Sequence, residues 1–154
     1  MIAVLQKIKE ASVTADGEPF SHCGKGFLVL LGVSVDDNEE DARLLAQKIS
    51  KLRVFEDEND KMNLSVNDVG GGVMVVPNFT LLASYKKGNR PAFVYSAEPT
   101  RAEELFCFFC DYIKDLVPQV TRGKFRSHME VSLINDGPVT IPLDSRVLRG
   151  ERSI

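Results

Sequence analysis

Apolar and polar residues alternate over residues 2–8 and again over 11–15, which predicts two short strands, with Asp16-Gly17 as a turn ahead of Phe20. The run from Gly26 to Val33 is almost continuously apolar and is bounded by glycines, the pattern of a strand buried on both faces. The period then lengthens. Asp36-Asp37-Asn38 suits a helix start, and Ala42, Leu45, Ala46 and Ile49 follow at helical spacing, with Glu39, Asp41, Arg43 and Lys48 assigned to solvent. A short strand is expected at 52–55, then a solvated acidic loop at 56–60 that lacks the glycine and closing glutamate of a calcium loop. Gly70-Gly71-Gly72 reads as a flexible turn into a buried strand over Val73–Val76, ended by Pro77. A second helix is expected from Pro99 to about Val117, with Ala102, Leu105, Phe106, Phe109 and Ile113 inside, and a short strand at 119–122. Apolar residues alternate on both sides of Asn135-Asp136-Gly137-Pro138, at Met129, Val131 and Leu133 and at Val139, Ile141 and Leu143, so two strands with a reversal between them are predicted.

That reversal is an unusual one. Asp-Gly is a hairpin signal, but the residue after glycine closes such a turn with its N–H, and Pro138 has none. An X-Pro bond also takes the cis form cheaply, so the Gly137 and Pro138 carbonyls can point where an ordinary turn would not send them. Composition narrows the class without naming the chemistry. The 154 residues, 44% hydrophobic and 27% charged, suit one soluble domain. A net charge of −3 argues against broad coating of nucleic acid but not against a local basic patch. No run approaches the roughly 18 apolar residues of a membrane span, and three cysteines with no secretory signal point to a reducing, cytoplasmic setting.

Few residues read as reactive. His22 and Cys23 are neighbours on a strand and face opposite ways, so they make a poor metal pair. Cys107 and Cys110 lie in mid-helix and read as core, and the environment of His128 reads as structural. Asn78 and Thr80, directly after a buried strand, could line a pocket or simply satisfy loop backbone. Lys86, Lys87 and Arg90, with Tyr85, could grip phosphates and stack on a base, or could be plain surface.

Several motifs in order carry a family resemblance: Ala11-Ser-Val-Thr14, Leu28-Val-Leu-Leu-Gly32, Arg53-Val-Phe55, Lys61-Met-Asn63, Phe79-Thr-Leu81, Arg90-Pro91, Gly123-Lys-Phe125 and Met129-Glu-Val-Ser-Leu-Ile-Asn-Asp-Gly-Pro-Val-Thr140. The chain resembles the D-aminoacyl-tRNA deacylase (D-tyrosyl-tRNA deacylase) family over residues 1–145, with 146–154 left as a charged, frayed tail. The resemblance implies an α/β fold, a compact barrel-like β-sandwich with two helices, built as a homodimer with active sites at the interface. It implies hydrolysis of the ester of D-aminoacyl-tRNA, and of glycine mischarged on tRNA-Ala, without cofactor, metal or membrane. By the same resemblance Thr80 and Phe79 are the catalytic positions. Gly137 and Pro138 form a Gly-cisPro gate that rejects L residues. Pro77, Asn78, Met129 and Asn135 line the substrate pocket, and Lys86, Lys87 and Arg90 meet the tRNA. The chain departs from the family pattern where Pro77-Asn78 replaces Ser-Gln and where Ser127-His128 replaces Ala-Asp. The first departure keeps open a tRNA-binding module with altered range or lost catalysis. An esterase for small D-aminoacyl compounds is a further alternative.

Overall fold

A computed structural model describes residues 1–151. Its organising element is β1 (Ile2–Ala15), which alternates strictly enough to bury Ala3, Leu5, Val13 and Ala15. One edge of β1 pairs first with β3 (Gly26–Gly32) through residues 2–8, then with β2 (Glu18–Cys23) through residues 11–15. The two predicted strands are therefore one, bent where the pairing changes. Asp16 and Gly17 make the expected turn, both with positive φ.

The parallel part of the sheet follows from its connections. Parallel neighbours need a crossover, and helices supply it. Helix α1 (Glu39–Lys51) and a small hairpin of β4 (Phe55–Glu56) and β5 (Met62–Leu64) lead from β3 to β6 (Gly72–Pro77). Helix α2 (Pro99–Lys114) leads from β6 to β7 (Gln119–Arg122). Because β4 covers only Phe55–Glu56, the strand expected at 52–55 is mostly helix C-cap and loop. Gly71 and Gly72 are packed rather than flexible: a Cβ on Gly26 would come within 1.9 Å of the Gly72 carbonyl, so β3 and β6 start in backbone contact.

The sheet separates two apolar clusters. Phe27, Val29 and Leu31 of β3 and Val73 and Val75 of β6 meet Ala42, Leu45, Ala46 and Ile49 of α1 and Leu105, Phe106, Phe109 and Ile113 of α2. Leu28, Met74 and Val76 face the other way, with Ile8, Ala11 and Val13. Both predicted helix stripes are core, and β3 is buried on both faces.

The last strand corrects the sequence reading. β8 (Met129–Asp144) does not reverse; it runs antiparallel to β1 from Ala15↔Met129 to Ile2↔Asp144. Between Gln6↔Thr140 and Ile8↔Asn135, β1 contributes only Lys7 while β8 contributes Asp136, Gly137, Pro138 and Val139. These four residues form an excursion from a continuous strand, a large bulge rather than a hairpin.

Two further expectations give way to charge burial. Asp41 is fully buried: it accepts the Asn38 N–H at 3.0 Å as a capping box, the Ser145 hydroxyl at 2.6 Å and an Arg149 ion pair at 3.0 Å. The same contacts dock a third, one-turn helix α3 (Ser145–Leu148), so the chain is not frayed from 146 to 151. Residues 152–154 of the expected tail lie outside the described residues. No helix among the described residues is long and apolar enough to cross a membrane.

Candidate active site

The end of β6 builds the site. The Asn78 N–H donates to Leu31 O at 2.8 Å, and the chain then coils into a single 3-10 turn over Phe79–Leu82, closed by Ala83 N–H to Thr80 O at 3.2 Å. Asn78 stands at the head of this turn without capping it. Its side-chain Oδ1 instead accepts a short hydrogen bond from the Thr80 hydroxyl. The Phe79 carbonyl accepts from Ser96 Oγ at 3.1 Å, and its ring meets Phe93 edge-on at 5.0 Å while remaining 57% exposed.

A cavity of about 500 Å³ opens beside this turn. Pro77, Asn78 and Phe79 form one wall, Phe93 and Ser96–Pro99 a second, and Phe125–Ser127 with Met129 a third; Leu31, Val33 and Phe106 line it from the core. Its walls are mostly apolar, as ligand cavities are, with few polar groups to orient a guest. Neither histidine and none of the three cysteines lines it. Burial pushes the Cys110 thiol up to about 12, so it is a core side chain and not a nucleophile.

The β8 excursion is held by its neck. Asn135 Nδ2 donates to Lys7 O at 2.9 Å and Val139 O at 3.0 Å, and Asn135 Oδ1 accepts from Thr140 Oγ1 at 3.2 Å. Gly137 has φ +118°, and the Gly137–Pro138 peptide is cis. Beneath lies Lys7, 1% exposed, whose ammonium reaches both Glu56 oxygens at 2.7 and 2.8 Å, stands 3.7 Å from Asp136 and lies over the Phe55 ring. The Lys7 hydrogen bond, with one from the backbone, holds the Glu56 carboxyl below the ordinary glutamate range. Sequence reasoning missed this anchor. The signal was present, because Lys7 shares the buried parity of Ala3 and Leu5.

The family described as D-Tyr-tRNA(Tyr) deacylase matches residues 4–144. The chain belongs to this family. A D-aminoacyl-tRNA deacylase of Caldicellulosiruptor saccharolyticus is 49% identical over 95% of this chain and 98% of its own length. The deacylase of Anaeromyxobacter dehalogenans is 51% identical over 96% and 99%. Among solved structures, a c-Myc DNA unwinding element binding protein superposes with TM-score 0.88 at 39% identity, covering 94% of this chain and 98% of that one. A probable eukaryotic D-amino acid tRNA deacylase shares the fold, with TM-score 0.81 at 15% identity over 93% and 98%. The expected hydrolase class and the α/β barrel-like fold therefore stand, with α3 as an added helix.

Within this deacylase fold the sequence-nominated residues divide into three places. Pro77, Asn78, Phe79 and Met129 share the cavity, and Thr80 is tied to Asn78 beside it. Gly137, Pro138 and Asn135 do not line it: Gly137 is eight positions beyond Met129 on β8, on the order of 20 Å of strand. Lys86, Lys87 and Arg90 lie on a fully exposed loop with Tyr85, between the bridged residues Ser84 and Ala92. Phe93, Ser96 and Arg126 are cavity residues that the sequence did not nominate.

Proposed function

We propose that this protein hydrolyses the ester joining a D-amino acid to the 3′-terminal adenosine of tRNA, and by the same gate the ester of glycine mischarged on tRNA-Ala. The observation that carries the reading is the junction of a nucleoside-sized apolar cavity with the Asn78–Thr80 turn, whose leading amides no side chain caps. Such amides are suited to a developing oxyanion, the main demand of ester hydrolysis. The Thr80 hydroxyl aims its proton at an amide oxygen, which is no base, so Thr80 positions the substrate and water or the tRNA 2′-hydroxyl attacks.

Selection is assigned to a second copy of the chain. Gly137 and Pro138 are exposed and do not line their own cavity, so the reading takes a homodimer in which each protomer lends its excursion to the other to complete the site. Fixed carbonyls there occupy the space of an L side chain, while a D residue points elsewhere and glycine has nothing to clash. Lys86, Lys87 and Arg90 meet the tRNA backbone, and a substrate of this kind places the enzyme in the cytoplasm.

The test is a paired assay of D- and L-aminoacyl-tRNA with the purified protein, with release of the D residue alone expected. Survival of both enantiomers at enzyme in excess over substrate would sink the reading; tight, salt-sensitive binding without release would identify a tRNA-binding module instead. Turnover of small D-aminoacyl esters that ignores loss of Lys86, Lys87 and Arg90 would identify a different esterase.

A further inference from the structure

Two charged residues line the cavity, Glu98 and Arg126, both exposed and therefore at its rim; Asn78, Ser96 and Ser127 are its other polar lining. Glu98 is committed: its carboxylate accepts the Arg101 N–H at 2.7 Å and caps α2. Arg126 is not. Its contacts are long, 3.5 Å from Nη2 to Thr100 Oγ1 and 3.8 Å from Nε to Glu103, and its side chain is 55% exposed. Yet the loop that carries it is anchored at three points. Gly123 N–H donates to Val75 O at 2.8 Å, Ser127 Oγ to Lys124 O at 2.8 Å, and the Phe125 ring packs against Phe106.

Arg126 also sits at φ +59°. Aspartate occupies the other two such positions among the described residues, Asp16 and Asp60, where turns commonly place it. An arginine there carries a conformational cost, and costs of that kind concentrate at ligand clamps. A strained, well-anchored backbone with a loosely held guanidinium at the rim of a nucleoside-sized cavity describes a clamp waiting for an anion. A nucleoside seated in the cavity would present one such group at the mouth, the phosphate that joins it to the preceding nucleotide. Guanidinium matches phosphate geometry with paired N–H donors.

We infer that Arg126 binds the 5′-phosphate of the terminal nucleotide and so adds to the hold on the substrate's nucleoside end. This inference rests on the deacylase reading above.

Three substrates separate the possibilities: a D-aminoacyl ester of adenosine, the same ester of adenosine 5′-monophosphate, and D-aminoacyl-tRNA. In Arg126→Ala, KM for the two phosphate-bearing substrates is expected to rise about tenfold with kcat little changed, the scale of one charge-assisted contact at a half-exposed site. KM for the plain adenosine ester should not move. The salt dependence of tRNA binding should become shallower by about 0.7 in the log–log slope. Arg126→Lys should recover part of the loss, and an unchanged melting temperature would show that the loop still packs. Equal losses on all three substrates, or no loss on any, would overturn the phosphate contact while leaving the deacylase reading intact. Unaltered protein inactive on all three would overturn both.

Discussion

Gly137→Ala is the most direct test of a gate made from backbone. At φ +118° the residue lies outside the left-handed well that L residues tolerate, so alanine there costs about 1–3 kcal/mol. The added methyl would also lie 3.0 Å from Val139 Cγ2 and 3.3 Å from Val139 N. Val139 is 9% exposed and packs into the main core, so it gives little. The relief must come from the excursion, either by rotating the Gly137 carbonyl or by opening the Asn135 clamp across its neck. A total near 2 kcal/mol lowers the melting temperature of a chain of this size by about 4–8 °C, which leaves the protein folded at assay temperature. The measurement pairs that melting curve with D and L deacylation rates under identical conditions. The D-over-L ratio is expected to fall at least about tenfold, by a slower D rate, a gained L rate or both, since a tenfold change needs only 1.4 kcal/mol. A melting temperature that drops as expected with an unchanged ratio would refute the role of Gly137, because the substitution would have disturbed the excursion without touching selection.

The proposed shared site makes a complementation prediction: mixing Gly137→Ala with a cavity-blocked Met129→Trp variant should raise the D-over-L ratio above that of Gly137→Ala alone, since half the dimers are mixed and each holds one site with both cavity and gate intact; an unchanged ratio after verified subunit exchange would place both elements in one protomer's site. Lys7→Met should remove the contact that holds the Glu56 carboxyl low. That contact stabilises the fold above the ordinary glutamate value of 4.5 and is lost as pH falls through the lowered folded value, so urea midpoints of wild type and variant should converge in acid; parallel curves would contradict the pairing. Cys110, with its thiol pushed up to about 12, should resist iodoacetamide at pH 8 in the native protein and react in denaturant, as mass spectrometry would show. Asp41→Ala should cost about 3 kcal/mol in denaturant unfolding, because it removes the buried Arg149 ion pair, the Ser145 hydrogen bond and the Asn38 contact of the α1 cap together; a loss under 1 kcal/mol would mean the contacts are re-formed elsewhere.

Periodicity located what packing enforces. The stripes of α1 and α2 and the double-faced burial of β3 were legible because each residue's environment repeats at the spacing of its element. Asp41 and Lys7 defeated the same rule by their charge. Both stand at core positions of their patterns, yet a charged residue reads as solvated until its partners are known, and the charged partners, Glu56 and Asp136 for Lys7 and Arg149 for Asp41, lie at least 49 residues away. The continuity of β8 was hidden for a different reason. Alternation on both flanks of Asp136–Val139 fits a hairpin and a bulged strand equally, and only the shared partner β1 tells them apart. In the site, Pro77–Thr80 and Met129 were readable from local motifs. Phe93, Ser96 and Arg126 were not, because the cavity closes only when three distant segments meet.

The Pro77-Asn78 departure bears most on whether catalysis survives, and its structural cost can be located. Asn78 N–H bonds Leu31 O on the β3 side. By strand alternation the position-77 nitrogen therefore faces the β7 side. Pairing with β7 has already ended there, at Val75↔Arg122, and Pro77 Cδ packs where Gly123 leaves room. A missing N–H at that position breaks no ladder bond, so proline fits without distorting the turn that follows. Asn78 in turn is short enough to take the Thr80 hydroxyl within its own turn, leaving the leading amides uncapped. Neither change disturbs the backbone donors that the proposed hydrolysis uses, while both lie in the cavity wall. The departure is thus better placed to shift which aminoacyl group is accepted than to abolish its removal, and a panel of D-aminoacyl-tRNAs run on wild type and Pro77→Ser would show a changed order of rates rather than a gain of activity from zero.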